Sequence, residues 1–307
     1  TSYPKFYLKE NFKVKNDLIK SLPLKELIFR SLKKFSLFEQ HLDVDFLTSN
    51  IFSLKASKIL DYKKIDILVG WSSFSLEAFK NSEYYNFIKI LERGSSHIEF
   101  QKNILKEEYD LLGLKSKLPS LKLINKEKEE YDLSDYICVP SEFAKKSFLK
   151  KGYEKKIIKI PYGVDLKYFN TTKKYKKKDE FNIISVGAIS VRKGVIYLIK
   201  AFNELNLKNS KLTLIGDIEK GFKKTLLPLI NDKIEIISSI KQNSLKEYYN
   251  CADVFVTCSI EEGLSMVQIQ AMACGLPVIS SENSGGEDII NEGEDGFILK
   301  IRDKDRL

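Results

Sequence analysis

The chain has 307 residues, 43% of them hydrophobic and 11% aromatic, with a formal net charge of +9. That length holds two ordinary domains, that hydrophobicity excludes a disordered chain, and no apolar run reaches the ~18–20 residues of a membrane-spanning helix. The basic charge admits anionic partners, but much of it is lysine spread among Ile, Asn and Tyr, so nucleic acid is not expected as a partner. Four cysteines (Cys138, Cys251, Cys258, Cys274) lie in apolar contexts without CxxC spacing and read as reduced, buried thiols. Two histidines (His41, His97) and no Cys/His cluster make a structural zinc site improbable.

The chain opens at Thr1 without methionine and without a secretory leader pattern, so an upstream segment is expected. Residues 1–5 read as the tail of a strand and a loop. Residues 25–38 and 50–62 alternate apolar and charged residues at helical spacing. Ile65–Trp71 reads as a parallel-type strand ending in a glycine turn. A helix starts at Ser75, and Phe87–Arg93 is the next strand, followed by the loop Gly94-Ser95-Ser96-His97. A helix is predicted over Glu99–Leu112, a strand over Tyr136–Pro140, a Ser141-capped helix over Glu142–Lys151, and a strand over Ile157–Ile160. Such βα alternation indicates open, mostly parallel sheets whose ligands bind at the carboxyl ends of strands. That rule places Trp71, Arg93 and His97 on a functional rim, although Trp71 reads better as a packing residue and His97 equally well as a helix cap.

Residues 170–180 (NTTKKYKKKDE) form a lysine-rich break, read as a solvated linker and as the domain boundary, giving domains 1–172 and 173–307. Beyond it the pattern restarts. Strands are predicted over Phe181–Val186, Lys211–Ile215, Lys233–Ile237, Asp253–Thr257, Leu276–Ser280 and Phe297–Ile301. Helices are predicted over Val195–Leu205, from Ser244, and over Met266–Ala273, with a further helix after Ser284-Gly285-Gly286. The start of the Met266 helix, after a glycine-containing loop, exposes unpaired N–H groups and suits a phosphate.

The text from Glu262 to Ile279, EGLSMVQIQAMACGLPVI, resembles the signature of retaining glycosyltransferases of family four, the glycosyl transferases group 1. That family writes Glu-Gly-x-Gly, then a second Glu before Ala-Met-Ala-x-Gly-x-Pro-Val-Ile. Here Ser265 stands for the second glycine and Gln270 for the second glutamate. The segments DYICVPSEFAKKSFLKKG, IPYGVDLKYF, VGAISVRKGVIYLIKAF and YYNCADVFVTCSIEEG are similar to the family in the same order.

The resemblance implies the GT-B fold, with two Rossmann-like doubly wound domains facing across a cleft. It also implies a chain lacking the family's first strand before Thr1 and its closing helices after Leu307. The implied activity is metal-independent transfer of a hexosyl group, with retention, from a nucleotide-diphosphate-sugar to a glycan or lipid-linked acceptor. No cofactor or metal is implied. Family habit suggests a cytoplasmic protein, with peripheral contact at the inner membrane face.

Carried over by position, Lys193 holds the donor diphosphate with Arg192 beside it. Met266 and Val267 offer backbone N–H groups to the same phosphates, and Ile240 lies near the base. Gln270 takes the ribose position, Glu262 accepts from donor-sugar hydroxyls, and His97 matches a rim histidine near sugar and acceptor. Glu262 and Gln270 do not make a glycosidase pair, being about 12 Å apart along a helix with only one carboxylate. The family's Gly-Arg reads Gly187-Ala188 here, so one diphosphate cation is missing or replaced by Arg192. A nucleotide-sugar isomerase of the same fold and a non-catalytic sugar-nucleotide-binding module are the alternatives.

Overall fold

The structure, a computed structural model, describes residues 43–172 and 180–307. The expectations for residues 1–5 and 25–38, for His41 and for most of the lysine-rich linker lie outside the described residues.

In chain order the elements are α1 (Val44–Ile59), β1 (Ile67–Trp71), α2 (Leu76–Lys80), β2 (Ile88–Glu92), α3 (Ile98–Leu111), α4 (Leu121–Leu133), β3 (Tyr136–Val139), α5 (Glu142–Leu149) and β4 (Ile157–Lys159). From residue 181 onward come β5 (Phe181–Val186), α6 (Val195–Leu205), β6 (Ser210–Ile215), α7 (Lys223–Leu226), β7 (Ile234–Ile237), α8 (Gln242–Cys251), β8 (Val254–Thr257), α9 (Met266–Ala273), β9 (Val278–Ser281) and β10 (Gly296–Leu299). None of the described helices is long and apolar enough to cross a membrane.

The chain divides into two compact units. The first comprises Thr1–Arg93 and Pro119–Cys138, the second Gly94–Leu118 and Val139–Leu307.

In the first unit β1, β2 and β3 run parallel, with Ile67 beside Ile88 and Leu91 beside Ile137. Period-two alternation puts Ile67, Val69 and Trp71 on one side of β1, and that side is exposed. Trp71 is therefore a surface residue rather than the packing residue the sequence suggested. Arg93 is buried, its guanidinium 3.1 Å from Glu127.

The second unit contains a six-stranded parallel sheet in the order β10-β9-β8-β5-β6-β7. The chain starts at central β5, moves outward through β6 and β7, then returns to β8 on the other side. The strand order thus reverses between β5 and β8, the crevice where open α/β sheets bind ligands. Both faces are covered, which is why the strands read as near-continuous apolar runs. Ile183, Leu212, Leu214, Val254 and Val256 pack on the α6 face with Ile199 and Phe202. Ile184, Ile215, Phe255 and Val278 pack on the α8–α9 face with Leu245, Tyr249 and Ala271.

Three expectations are corrected. The helix after Ser284-Gly285-Gly286 is a single 3-10 turn, Gly286–Asp288. Its acidic residues are spent on ties to α5 and β4: Glu287 pairs with Lys146 at 2.8 Å, and Asp288 accepts from the Glu142 N–H and Lys159, both at 2.6 Å. Helix α4 was not anticipated. Cys251, on α8, is exposed, whereas Cys138, Cys258 and Cys274 are buried.

Candidate functional site

The second unit gathers its reactive side chains at the carboxyl ends of β5, β8 and β9. After β5 the chain turns through Gly187, whose φ of +136° suits glycine, and the aliphatic end of Lys193 lies against it, Cε 3.4 Å from where a Cβ would stand. After β8 comes Ser259–Gly263. Here the Lys193 Nζ pairs with the Glu262 carboxylate, both side chains mostly buried. Glu262 is held from behind: its N–H donates to the Asn283 carbonyl (2.9 Å), and the Asn283 amide donates to the Ile260 carbonyl (2.9 Å). Ser281 Oγ closes the same loop on the Ser259 carbonyl at 2.6 Å.

Helix α9 begins four residues after Glu262. Its first N–H groups, on Met266 and Val267, find no acceptor among the described residues, the state of a helix start left open to an anion. Ser265 precedes the helix without capping it by its side chain. Gly263 is fixed by close approach, since a Cβ there would stand 2.2 Å from the Gly94 carbonyl oxygen and 2.9 Å from Pro140. The Ser141 hydroxyl donates to the Gly263 carbonyl at 2.5 Å.

The residue before Glu262 is held by four other residues. Glu261 is fully buried and accepts from Ser95 Oγ (2.6 Å), Ser96 Oγ (2.6 Å), Ser96 N–H (3.1 Å) and Gln101 Nε2 (2.8 Å). Arg192 completes the set, its Nε donating to the Glu261 carboxylate at 3.0 Å and to the Glu261 carbonyl at 3.0 Å. Burial alone pushes this carboxyl up. The Arg192 guanidinium and the Ser95, Ser96 and Gln101 hydrogen bonds outweigh burial and hold it at about 2. The sequence reading passed over Glu261, because Ser95, Ser96 and Gln101 lie 160 or more residues away, Arg192 lies 69 away, and no spacing rule connects them.

The residues singled out from sequence therefore divide. Lys193 pairs with Glu262, four residues ahead of the helix start that Met266 and Val267 form. Arg192 adjoins them but directs its guanidinium at Glu261 and, at 3.2 Å, at Ser95 Oγ. Gln270, one helical turn along α9 from Met266, is buried, its Oε1 accepting from the Tyr249 hydroxyl at 3.3 Å. Ile240 is half-buried against the same α8–α9 cluster. His97 is buried and caps α3: its Nδ1 accepts from the Glu99 N–H at 3.2 Å and its ring sits edge-on to Phe148.

A family model described as glycosyl transferases group 1 matches residues 168–307. An uncharacterized glycosyltransferase of Methanocaldococcus jannaschii is 31% identical over 133 residues, 42% of this chain and 34% of its own. The chain spans about a third to a half of the length of the first curated relatives it matches. Among solved structures, sucrose-phosphate synthase from Thermosynechococcus elongatus superposes with a TM-score of 0.69 at 21% identity, covering 85% of this chain and 67% of that one. HepE from Anabaena, solved with UDP and glucose, gives 0.60 at 15% identity, covering 84% and 68%. These likenesses show the fold, which is GT-B, with parallel Rossmann-like sheets.

Proposed function

We propose, from the match of residues 168–307 to the glycosyl transferases group 1 family model, that the protein moves a hexosyl group, with retention and without a metal ion, from a nucleotide-diphosphate-sugar to a glycan or lipid-linked acceptor. The observation that carries this reading is the Lys193–Glu262 pair beside the open N–H groups of Met266 and Val267. A donor diphosphate takes Lys193 as its counter-ion and the α9 N–H groups as hydrogen-bond donors. Binding releases Glu262 from Lys193 to accept from sugar hydroxyls. In the transition state the bond from the anomeric carbon to phosphate oxygen breaks while the acceptor oxygen bonds on the same face. The acceptor proton passes to the leaving phosphate, and Lys193 stabilises the charge growing there.

In this reading Arg192 is a strut and not a phosphate ligand, because Glu261 and Ser95 engage it. UDP is the first nucleotide to try, since a neighbour of the same fold holds UDP and glucose. Peripheral attachment to an anionic inner membrane face is part of the proposal and rests on the +9 charge. A second reading, a sugar-nucleotide-binding module without turnover, is favoured by Gln270, whose amide oxygen is engaged by Tyr249.

Calorimetric titration with UDP, ADP and GDP tests the site. One base is expected to bind, and Lys193→Ala to weaken it at least tenfold. Unchanged affinity in that variant rejects the phosphate assignment. Anomeric proton spectra of the product from the matching sugar donor then report retention. Binding without transfer to any acceptor selects the second reading.

A further inference from the structure

Two ion pairs in register join the loop after β5 to the loop after β8. Arg192 meets Glu261, and the next residue on each loop, Lys193, meets Glu262. The backbone runs the same way: the Ile260 N–H donates to the Arg192 carbonyl at 2.8 Å, and Arg192 Nε donates to the Glu261 carbonyl at 3.0 Å. Gly194 is pressed against the same loop, since a Cβ there would stand 2.0 Å from the Cys258 carbonyl oxygen. Residues 192–194 and 258–262 are thereby held as one piece.

The two pairs differ in what else holds them. Lys193 and Glu262 keep 17% and 18% of their side-chain surfaces exposed, and Ser259 Oγ stands 3.4 Å from the Glu262 carboxylate. Glu261 is wholly buried. Ser95 Oγ touches both members of its pair, donating to Glu261 at 2.6 Å and accepting from Arg192 Nη2 at 3.2 Å. Ser96 and Gln101 add their own bonds to the same carboxylate. The outer pair can part in favour of a ligand. The inner one cannot part cheaply, because a buried carboxylate stripped of its cation is costly.

That difference bears on the donor site. When a diphosphate takes Lys193 as its counter-ion, the Lys193–Glu262 tie between the loops opens. We propose that Glu261 is a positioning residue for diphosphate binding. Paired with Arg192, it keeps the two loops in register while the neighbouring pair exchanges its carboxylate for phosphate. The Lys193 backbone then stays fixed relative to the segment that leads into α9, and the ammonium meets the anion without a loop having to be ordered first. This role rests on the donor-site reading above, and Glu261 itself touches no phosphate.

Inorganic pyrophosphate is the probe, so that base and sugar play no part. Its affinity for the whole chain is measured by calorimetry at 10 °C in metal-free buffer. The variants are Lys193→Ala, Glu261→Gln, and the double variant Glu261→Gln, Arg192→Met. The double variant removes the inner pair without changing the net charge, so a loss of affinity in it reports position and not field. The expected result is binding weakened at least tenfold in Lys193→Ala and at least fivefold in the double variant, even though its urea midpoint lies above that of Glu261→Gln. Stability and affinity then part, which a merely structural role would not produce. Wild-type affinity in the double variant overturns the proposal and leaves the donor site standing. Tighter binding in Glu261→Gln overturns it too, by showing that Glu261 withholds Arg192 from the phosphate. No binding to the wild type, or unchanged affinity in Lys193→Ala, rejects the donor-site reading and the proposal with it. Should both Glu261 variants be unfolded at 10 °C, Arg192→Lys decides. It keeps a charge beside Glu261 but loses the Nε bond to the Glu261 carbonyl, and unchanged affinity in it overturns the proposal.

Discussion

Glu261 in the second unit and Glu130 in the first are both completely buried carboxylates, and the two behave in opposite ways. In the second unit Glu261 stays ionised, held at about 2. In the first, Glu130 on α4 accepts three backbone N–H bonds, from Ser73 (2.6 Å), Ser75 (2.8 Å) and Leu76 (2.9 Å), yet its carboxyl is raised to about 7. Burial pushes both upward. The N–H bonds pull Glu130 back only part of the way, and neighbouring Glu127 adds to the rise. Glu261 has a guanidinium in direct contact as well as its hydrogen bonds, and the balance turns. The difference teaches that a buried carboxylate needs a fixed opposite charge, and that three hydrogen bonds do not substitute for one.

The largest effect expected from breaking this comparison is at Glu261. Glu261→Gln leaves the Arg192 guanidinium facing a neutral amide, and the second unit should lose about 3 kcal/mol or more. Urea melts followed by release of the buried Cys258 and Cys274 thiols report that unit. Adding Arg192→Met should recover part of the loss, because it removes the uncompensated charge. Full additivity of the two substitutions would mean that the pair is not coupled.

The pH dependence sharpens the same contrast with a comparable magnitude. Glu261 has a folded value below its ordinary 4.5, so its contribution is present above pH 4.5 and lost as pH falls toward 2. Glu130 has a folded value above 4.5, so its contribution is complete below pH 4.5 and lost as pH rises through about 7. Each limb is worth about 3 kcal/mol over that span. The chain's one tryptophan, Trp71, lies in the first unit and reports it. Its unfolding transition should weaken between pH 4.5 and 7 in the wild type and become flat in Glu130→Gln. A wild-type transition already flat over that range would show that Glu130 is ionised throughout.

Legibility in the sequence follows the same physical line. Phe181–Val186, Val195–Leu205 and Met266–Ala273 were readable to the residue, because apolar runs mark elements buried against a core. Helix α4 was not, since its buried side includes Lys126, Glu127 and Glu130 beside Ile124 and Tyr131. Apolar periodicity does not see a charged face turned inward. Lys193 and Glu262 were legible through family resemblance. Glu261, adjacent to one of them, was not, because its meaning lies in Ser95, Ser96 and Gln101, far away in sequence. The directions of Arg192 and Gln270 were hidden for the same reason: motif position names a residue without saying which neighbour its side chain meets.

Gln270 offers the smallest and most discriminating test. It holds the place of a family carboxylate, yet it is buried and spends its amide oxygen on Tyr249, whose own hydroxyl is pushed up by burial. Tyr249→Phe removes one neutral hydrogen bond and should cost about 1 kcal/mol. Gln270→Glu places a carboxyl in the same apolar cluster with no cation in contact, the situation of Glu130 and not of Glu261. It should therefore destabilise the second unit increasingly as pH rises, while Tyr249→Phe shifts stability equally at every pH below the tyrosine range. If Gln270→Glu is instead neutral at pH 8 and tightens nucleotide binding, the side chain reaches the donor rather than Tyr249, and the contrast between the two kinds of buried carboxylate does not extend to α9.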